Sequence, residues 1–184
     1  MARFLFLRSD MTPIATAPTI GFYGLGALGY ALAGRLARAG YPVSVADPRC
    51  ERVERWASQF GEVASHPAHA RCVIACLADE SALRDLALGC DGLFAAMRPG
   101  RLLIDHTARS PDLVGELAAS AAARAVGYVG APLAGTPDSL VATLRGARED
   151  VARARAIVSA YAECVEEGDA AGRGVLARRA ERSL

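Results

Sequence analysis

Apolar positions along this chain switch between two periods at regular intervals. Thr19-Ile20-Gly21-Phe22-Tyr23 is a short, nearly continuous apolar run. After it, Leu28, Leu32 and Leu36 recur every fourth residue. The first pattern reads as a buried strand and the second as an amphipathic helix. Carried along the chain, the same reasoning predicts strands over 19–23, 43–47, 62–64, 72–77, 101–105, 128–131, 140–144 and 163–165. It predicts helices over 27–39, stopped by Gly40, and over 51–60, where Val53, Trp56 and Phe60 fall at helical spacing. Further helices are expected from a Ser81 cap to Leu88, from Ser110-Pro111-Asp112 to Ala125, and over 149–161, with helix character again from Gly172 to Leu184. Cys72-Val73-Ile74-Ala75-Cys76-Leu77 is apolar at every position, as in a parallel strand covered on both faces. Alternation of strand and helix implies an α/β fold. We expect a Rossmann-type, doubly wound, mostly parallel sheet in a single domain, with ligands at the carboxyl ends of the strands.

The first strand-to-helix junction carries the most specific chemistry. Gly24-Leu25-Gly26-Ala27-Leu28-Gly29 has the GxGxxG spacing of a phosphate-binding turn. Gly24 permits a sharp turn, Gly26 clears the approach of a pyrophosphate, and Gly29 lets the helix lie close on the strand. The helix start supplies unpaired N–H groups and partial positive charge. Asp47, at the end of the second strand, is placed to accept the adenosine ribose hydroxyls and to repel a 2′-phosphate; the other reading of this residue is a helix cap. The carboxylate favours NAD, while Arg49, two residues on, leaves NADP possible because a guanidinium pairs with phosphate. Gly24 through Gly29, Asp47, Leu77 at the end of the 72–77 strand, and Thr107 are the expected cofactor-binding residues.

Composition narrows the setting. The chain has 184 residues, 52% hydrophobic and 22% charged, enough for one domain with a sizeable core. A formal net charge of +1 gives no reason to expect nucleic acid or acidic membranes as partners, and no apolar run is long enough to span a bilayer. All 21 basic residues are arginine, so no lysine is available as acid, base or Schiff-base nucleophile. Cys50, Cys72, Cys76, Cys90 and Cys164 form an odd set without CxxC pairs, which argues against a disulfide framework or zinc knuckle and suits a reducing cytoplasm. Cys72 and Cys76 read as core thiols. Three scattered histidines make no metal site. His66 and His69 flank Pro67 and read as a surface loop, with the adenine edge as the second reading. His106 reads as a partly exposed structural histidine, with acid–base work as its second reading. Tyr23 either packs or crowds the pyrophosphate. Residues 1–18 read as a tail, and Met11 is as good a start as Met1.

Several stretches in order resemble the β-hydroxyacid dehydrogenase superfamily, which includes 3-hydroxyisobutyrate dehydrogenase, the 6-phosphogluconate dehydrogenase coenzyme domain and the imine reductases. They are 20–29, Asp91-Gly92-Leu93 with Arg98-Pro99-Gly100, Asp105-His106-Thr107-Ala108-Arg109-Ser110-Pro111, and Ala131-Pro132-Leu133-Ala134-Gly135-Thr136. The resemblance covers roughly 19–182. It implies a dinucleotide-binding domain over 19–168, with 169–184 beginning an interdomain helix that is cut short. It also implies a site for a small hydroxy acid, carbonyl or imine substrate.

The departures fall on the substrate side. Thr107 stands where the family has the serine that touches cofactor and substrate carboxylate, and Ala108 replaces a threonine. In the family's A-P-V-S-G-G stretch, Ala134 has lost the serine hydroxyl, Gly135 remains, and Thr136 replaces the second glycine. Gly135 and Thr136 are the expected substrate contacts. The family's proton-transferring lysine falls at Arg178, a permanent cation that orients a carboxylate or steadies an oxyanion but is a poor proton shuttle. The family's asparagine falls at Glu181 or Arg182, and the helical domain that closes over substrate would follow the end of this sequence. Arg173, Arg178, Arg179 and Arg182 form a basic helix surface, read as a solvated face or a ligand or partner site. Three functions are compatible with this: hydride transfer, with Thr107, Gly135 and Arg178 at the substrate; a non-catalytic NAD(P)-binding sensor or accessory subunit; and an enzyme whose helical cover over Val175 and Leu176 comes from a homodimer mate or a partner chain.

Overall fold

The structure, a computed structural model, describes residues 17–61, 66–108, 110–136 and 139–167. Five short strands form its parallel part: β1 (Ile20–Tyr23), β2 (Val43–Ala46), β3 (Cys72–Ala75), β4 (Leu102–Asp105) and β5 (Gly127–Gly130), in the spatial order β2-β1-β3-β4-β5. The chain leaves β1 to one side for β2, then crosses to the other side for β3. The strand order therefore reverses between β1 and β3, where open α/β sheets bind their ligands. Two further strands fold back as a hairpin, β6 (Leu133–Thr136) and β7 (Ser139–Gly146). β7 runs antiparallel to both β5 and β6, and β8 (Cys164–Glu167) lies parallel to β7.

Registers are level across the parallel strands. Ile20 pairs with Val43 and Cys72, Cys72 with Leu102, and Leu102 with Gly127. One edge of the sheet therefore collects the residues that follow the strands: Gly24, Asp47, Cys76, His106 and Ala131. The opposite edge collects those that precede them: Thr19, Arg71, Arg101 and Val126.

The two-residue period of a strand divides the apolar side chains into two cores. Ile20, Phe22, Ile74 and Ile104 face α1 (Ala27–Arg38), α2 (Cys50–Phe60) and α6 (Arg148–Val158), packing with Leu32, Leu36, Trp56 and Val158. Val73 and Leu103 face α3 (Glu80–Leu88), α4 (Leu93–Ala96) and α5 (Pro111–Ala122), packing with Leu83, Phe94, Leu113 and Leu117. The α/β, mostly parallel, doubly wound reading is the fold observed. Helix α1 ends as expected at Gly40, in left-handed backbone at φ +88°. The N–H groups of Gly40 and Tyr41 close on the carbonyls of Ala37 and Leu36, a Schellman closure.

Three local expectations change. The cap of α3 is Asp79, not Ser81: its Oδ1 accepts the Ala82 N–H at 2.9 Å, and Ser81 lies inside the helix. Asp and Ser cap equally well, so the choice falls to where the chain leaves the sheet. The expected strand over 62–64 lies outside the described residues. A 3₁₀ turn at Pro67–His69 precedes β3. Leu133–Thr136 is a strand, although its central alanine and glycine are poor strand formers; pairing with β7 supplies the drive. His106 is buried, not partly exposed.

Ile74 is fully buried at the centre of the first core. Ile74→Ala should destabilise the chain by about 2–5 kcal/mol through lost burial and a residual cavity. In urea unfolding this appears as a lower midpoint with an unchanged slope.

Candidate functional site

The glycine turn is built by two close backbone approaches. Gly24 has φ +94°, and a Cβ there would stand 2.3 Å from the carbonyl oxygen of Cys76 at the end of β3. A Cβ on Gly29 would stand 1.9 Å from the carbonyl oxygen of Gly24 itself, so α1 lies directly on the turn. Both positions exclude any larger residue on the protein's own account. Gly26 differs: its φ is −61°, and a Cβ there would meet nothing within 4 Å. The space before the second glycine is open, and the protein itself makes no demand for glycine there.

Gly26 is also the N-cap of α1, with no side-chain cap and no acidic residue in the first turn. The N–H groups of Ala27 and Leu28 thus head a helix that presents partial positive charge at the carboxyl edge of the sheet. The turn is fastened to β2 at two points: the Gly24 N–H donates to the Ala46 carbonyl at 2.9 Å, and the Leu25 N–H donates to Asp47 Oδ2 at 2.7 Å.

Asp47 stands one residue past β2, with its side chain only 4% exposed. Its Oδ1 accepts the Arg49 N–H at 3.0 Å, and Oδ2 also takes Arg52 Nη1 at 3.3 Å. Burial alone would raise its pKa. The N–H groups of Arg49 and Leu25 and the Arg52 guanidinium outweigh burial and hold it below the ordinary carboxylate range. Asp47 is therefore an ionised carboxylate at neutral pH. It is not the cap of α2, since Arg49 occupies that position. Arg52 was not foreseen. It lies in the first turn of α2, five residues after Asp47, a spacing that strand-end counting overlooks.

A second knot joins the ends of β3 and β4. Thr107 is 1% exposed; its Oγ1 accepts the Leu77 N–H at 3.1 Å, and its own N–H donates to Asp105 Oδ1 at 2.8 Å. The Tyr128 hydroxyl donates to Asp105 Oδ2 at 3.4 Å. Leu77 in turn lies beside the turn, its Cδ2 3.0 Å from where a Gly24 Cβ would be. The structure thus gathers Gly24, Leu25, Gly26, Ala27, Leu28, Gly29, Asp47, Leu77 and Thr107 along one edge. Gly135 and Thr136 lie on the exposed β6–β7 hairpin, where Gly135 has φ +100° and pairs with Leu140, and Thr136 pairs with Ser139. Arg178, with the other arginines of that stretch, lies outside the described residues.

His106 points to the face opposite Asp105. Its Nδ1 lies 2.6 Å from the Ala131 carbonyl and its Nε2 2.7 Å from the Tyr161 hydroxyl. A carbonyl only accepts, so Nδ1 carries a proton; in the neutral imidazole Nε2 then accepts the Tyr161 O–H. Arg35 Nη1 donates to the Tyr161 carbonyl at 3.0 Å, which ties the same joint to α1. His106 is a buried clamp between β4, the start of the hairpin and the end of α6. Its partner is 55 residues away, beyond any local pattern.

The remaining titratable groups stand apart. His66 caps the 3₁₀ turn through Nδ1, and His69 lies at the amino edge with Thr19 and Arg71, which rules out the adenine-edge reading for His69. The Tyr23 phenol is held toward the Ala68 backbone, and burial raises its pKa, so it packs. All five cysteines are free, and burial pushes Cys72 to about 12 and Cys76 to about 11, making both inert core thiols. Among the described residues no cluster of His, Cys, Asp or Glu can hold a metal ion, and no helix is long and apolar enough to cross a membrane.

A strand-order reversal, a glycine turn heading a helix and an acid closing the next strand define a dinucleotide-binding domain of the Rossmann class. The family model for the NAD binding domain of 6-phosphogluconate dehydrogenase matches residues 19–168, and the chain belongs to that family. It is 28% identical over 169 residues to a protein named "Uncharacterized oxidoreductase" from Shewanella frigidimarina, covering 86% of this chain and 58% of that one. It is 32% identical over 126 residues to the cytokine-like nuclear factor N-PAC of Xenopus tropicalis, covering 66% of this chain and 24% of that protein. Among solved structures it resembles Psf3 in complex with NADP+ and 2-OPP (TM-score 0.76, 25% identity, 82% of this chain and 57% of that). It also resembles Mycobacterium tuberculosis 3-hydroxyisobutyrate dehydrogenase with L-serine (TM-score 0.75, 27% identity, 84% and 55%). The chain spans less than two thirds of the length of each of these relatives.

Asp47→Ala removes three hydrogen bonds that hold the turn and α2, and should cost about 1–3 kcal/mol at neutral pH. Because the folded carboxyl titrates below its unfolded value of about 3.9, this contribution is fully present above that pH. It disappears as pH falls through the folded pKa. Urea midpoints of the two proteins should therefore converge below about pH 4 and stay apart at pH 7.

Proposed function

We propose that this chain is the cofactor-holding part of an NAD(P)-dependent oxidoreductase acting on a small hydroxy acid, carbonyl or imine. The observation that carries this reading is the contrast among the three glycines. Gly24 and Gly29 are required by packing, whereas Gly26 faces open space in front of an uncapped helix start. A glycine unnecessary to the fold and placed at a helix N-terminus suits the close approach of a pyrophosphate.

On this reading the N–H groups of Gly26, Ala27 and Leu28 take the pyrophosphate, Asp47 the adenosine ribose, and Leu77 with Thr107 the nicotinamide side. The bound nicotinamide would supply or accept the hydride, and the protein would contribute position and polarity. Thr107 acts mainly by fixing Leu77, since its hydroxyl is enclosed. Gly135 and Thr136 would meet the substrate carboxylate through the hairpin backbone, and Arg178 would orient it without shuttling a proton. NAD is the preferred cofactor. The ionised Asp47 disfavours a 2′-phosphate, while Arg49 and Arg52 beside it keep the margin narrow.

A second reading is a non-catalytic NAD(P)-binding module, and arginine in place of a proton-transferring lysine favours it. Catalysis would also need a helical cover over substrate, and a second copy or a partner chain is one source of it. Inert core thiols and the absence of any disulfide among the cysteines suit a reducing cytoplasm.

Fluorescence titration with NADH and NADPH tests the assignment. NADH should bind more tightly, by about tenfold, or about 1.4 kcal/mol. Asp47→Ala should shrink that ratio. Gly26→Val should abolish binding with little loss of stability, whereas Gly29→Ala should lose both binding and stability. No binding of either nucleotide at sub-millimolar concentration would sink the reading. Turnover of small keto acids, aldehydes or cyclic imines separates the enzyme from the sensor, and solution mass with and without cofactor tests for a homodimer.

A further inference from the structure

Level strand registers place Thr19, Arg71 and Arg101 side by side, immediately before β1, β3 and β4. The turn after α4 brings Arg98 to the same edge; its Gly100 has φ +79° and its carbonyl is held by Arg153 Nη2 at 2.8 Å. His69, at the end of the 3₁₀ turn, joins them. These groups line an open cavity of about 590 Å³ with no acidic side chain in its wall.

The charge there is unbalanced. Arg52, Arg84, Arg153 and Arg155 each form an ion pair. Arg71, Arg98 and Arg101 pair with no carboxylate among the described residues. The nearby acid Asp150 is already taken by Arg153 at 3.1 Å. The distinguishing feature is their convergence: three guanidinium groups line one cavity whose wall holds no carboxylate, in a chain of formal net charge +1. We propose that this edge binds a compact polyanion of the oligophosphate class, at a site separate from the dinucleotide turn.

Guanidinium forks bond two phosphate oxygens at a time. Three of them arriving from different strand ends call for several negative charges within a short length, as in a di- or triphosphate chain. The cavity volume falls within the range of small-ligand sites. Five residues of extended chain, about 16 Å, separate Thr19 from Gly24, so a pyrophosphate on the glycine turn does not reach this edge. The same chemistry is offered by inorganic polyphosphate and by the phosphate chain of a nucleotide.

Calorimetry on the full chain at low ionic strength tests the proposal, with tripolyphosphate, ATP, citrate and a short DNA duplex as probes. Each titration is run with the glycine turn blocked by saturating NADH and repeated in Gly26→Val. Tripolyphosphate should bind in both settings and weaken steeply with added salt. Arg71→Ala, Arg98→Ala and Arg101→Ala should each weaken it by about tenfold or more, through the loss of one guanidinium's charge-assisted bonding. NADH affinity should stay unchanged in all three variants. ATP binding equal to tripolyphosphate identifies the inorganic chain as sufficient, and tighter ATP binding identifies a nucleotide; both support the site. Loss of binding under NADH, citrate binding as tightly as tripolyphosphate, DNA binding more tightly than either, or no binding at low salt would overturn it.

Discussion

Two backbone contacts at the strand-order reversal govern the rest of the site. The Gly24 Cα lies against the Cys76 carbonyl, and the Gly29 Cα lies against the Gly24 carbonyl. Together they lock the end of β1, the end of β3 and the first turn of α1 into one rigid corner. Neither contact tolerates a side chain, so the corner is specified by what is missing at two positions. Asp47 then fastens the corner to β2 through the Leu25 N–H, and Thr107 fastens the next strand end to it through Leu77. The geometry that a dinucleotide would meet is therefore preorganised by backbone and buried carboxylate, with little left to side-chain rearrangement.

This arrangement explains which parts of the molecule were legible in the chain. Strands β1 to β5 announce themselves as apolar runs because both their faces are covered, and α1 by leucines at fourfold spacing ending at Gly40. The glycine turn is legible because its requirements are local: a turn, a helix start and an acid one strand away. The misses are non-local. Leu133–Thr136 becomes a strand only because β7 returns beside it. The pairing of His106 with Tyr161 depends on a chain reversal 55 residues later. Asp79 displaces Ser81 as a cap by a shift of two residues that pattern alone does not decide. In sequence Asp47 reads as a ribose acceptor or a helix cap; in the fold it also serves Leu25, Arg49 and Arg52. Its role in holding the turn was hidden because a strand-end acid looks the same in sequence whichever partner it has.

The two ends of the sheet carry different electrostatics. At the carboxyl edge, positive character comes from helix geometry and is balanced by the buried Asp47. At the amino edge, it comes from arginine side chains with no carboxylate partner among the described residues. Membership in the 6-phosphogluconate dehydrogenase NAD-binding family accounts for the first edge and is silent on the second. The hairpin proposed to meet substrate extends past the carboxyl end of β5, with β6 largely exposed and without the serine hydroxyl that the resemblance leads one to expect at Ala134. Cofactor binding therefore rests on packed, specified geometry, while any chemistry would rest on a largely exposed strand, β6.

The most direct measurement of the central claim is residue-level mapping of NADH binding by amide chemical shifts in the 15N-labelled chain. The largest changes are expected at Gly26, Ala27, Leu28 and Leu77, with the amides of Arg71, Arg98 and Arg101 unmoved. Changes confined to the amino edge, or none at Gly26 through Leu28 while NADH is bound, would contradict it.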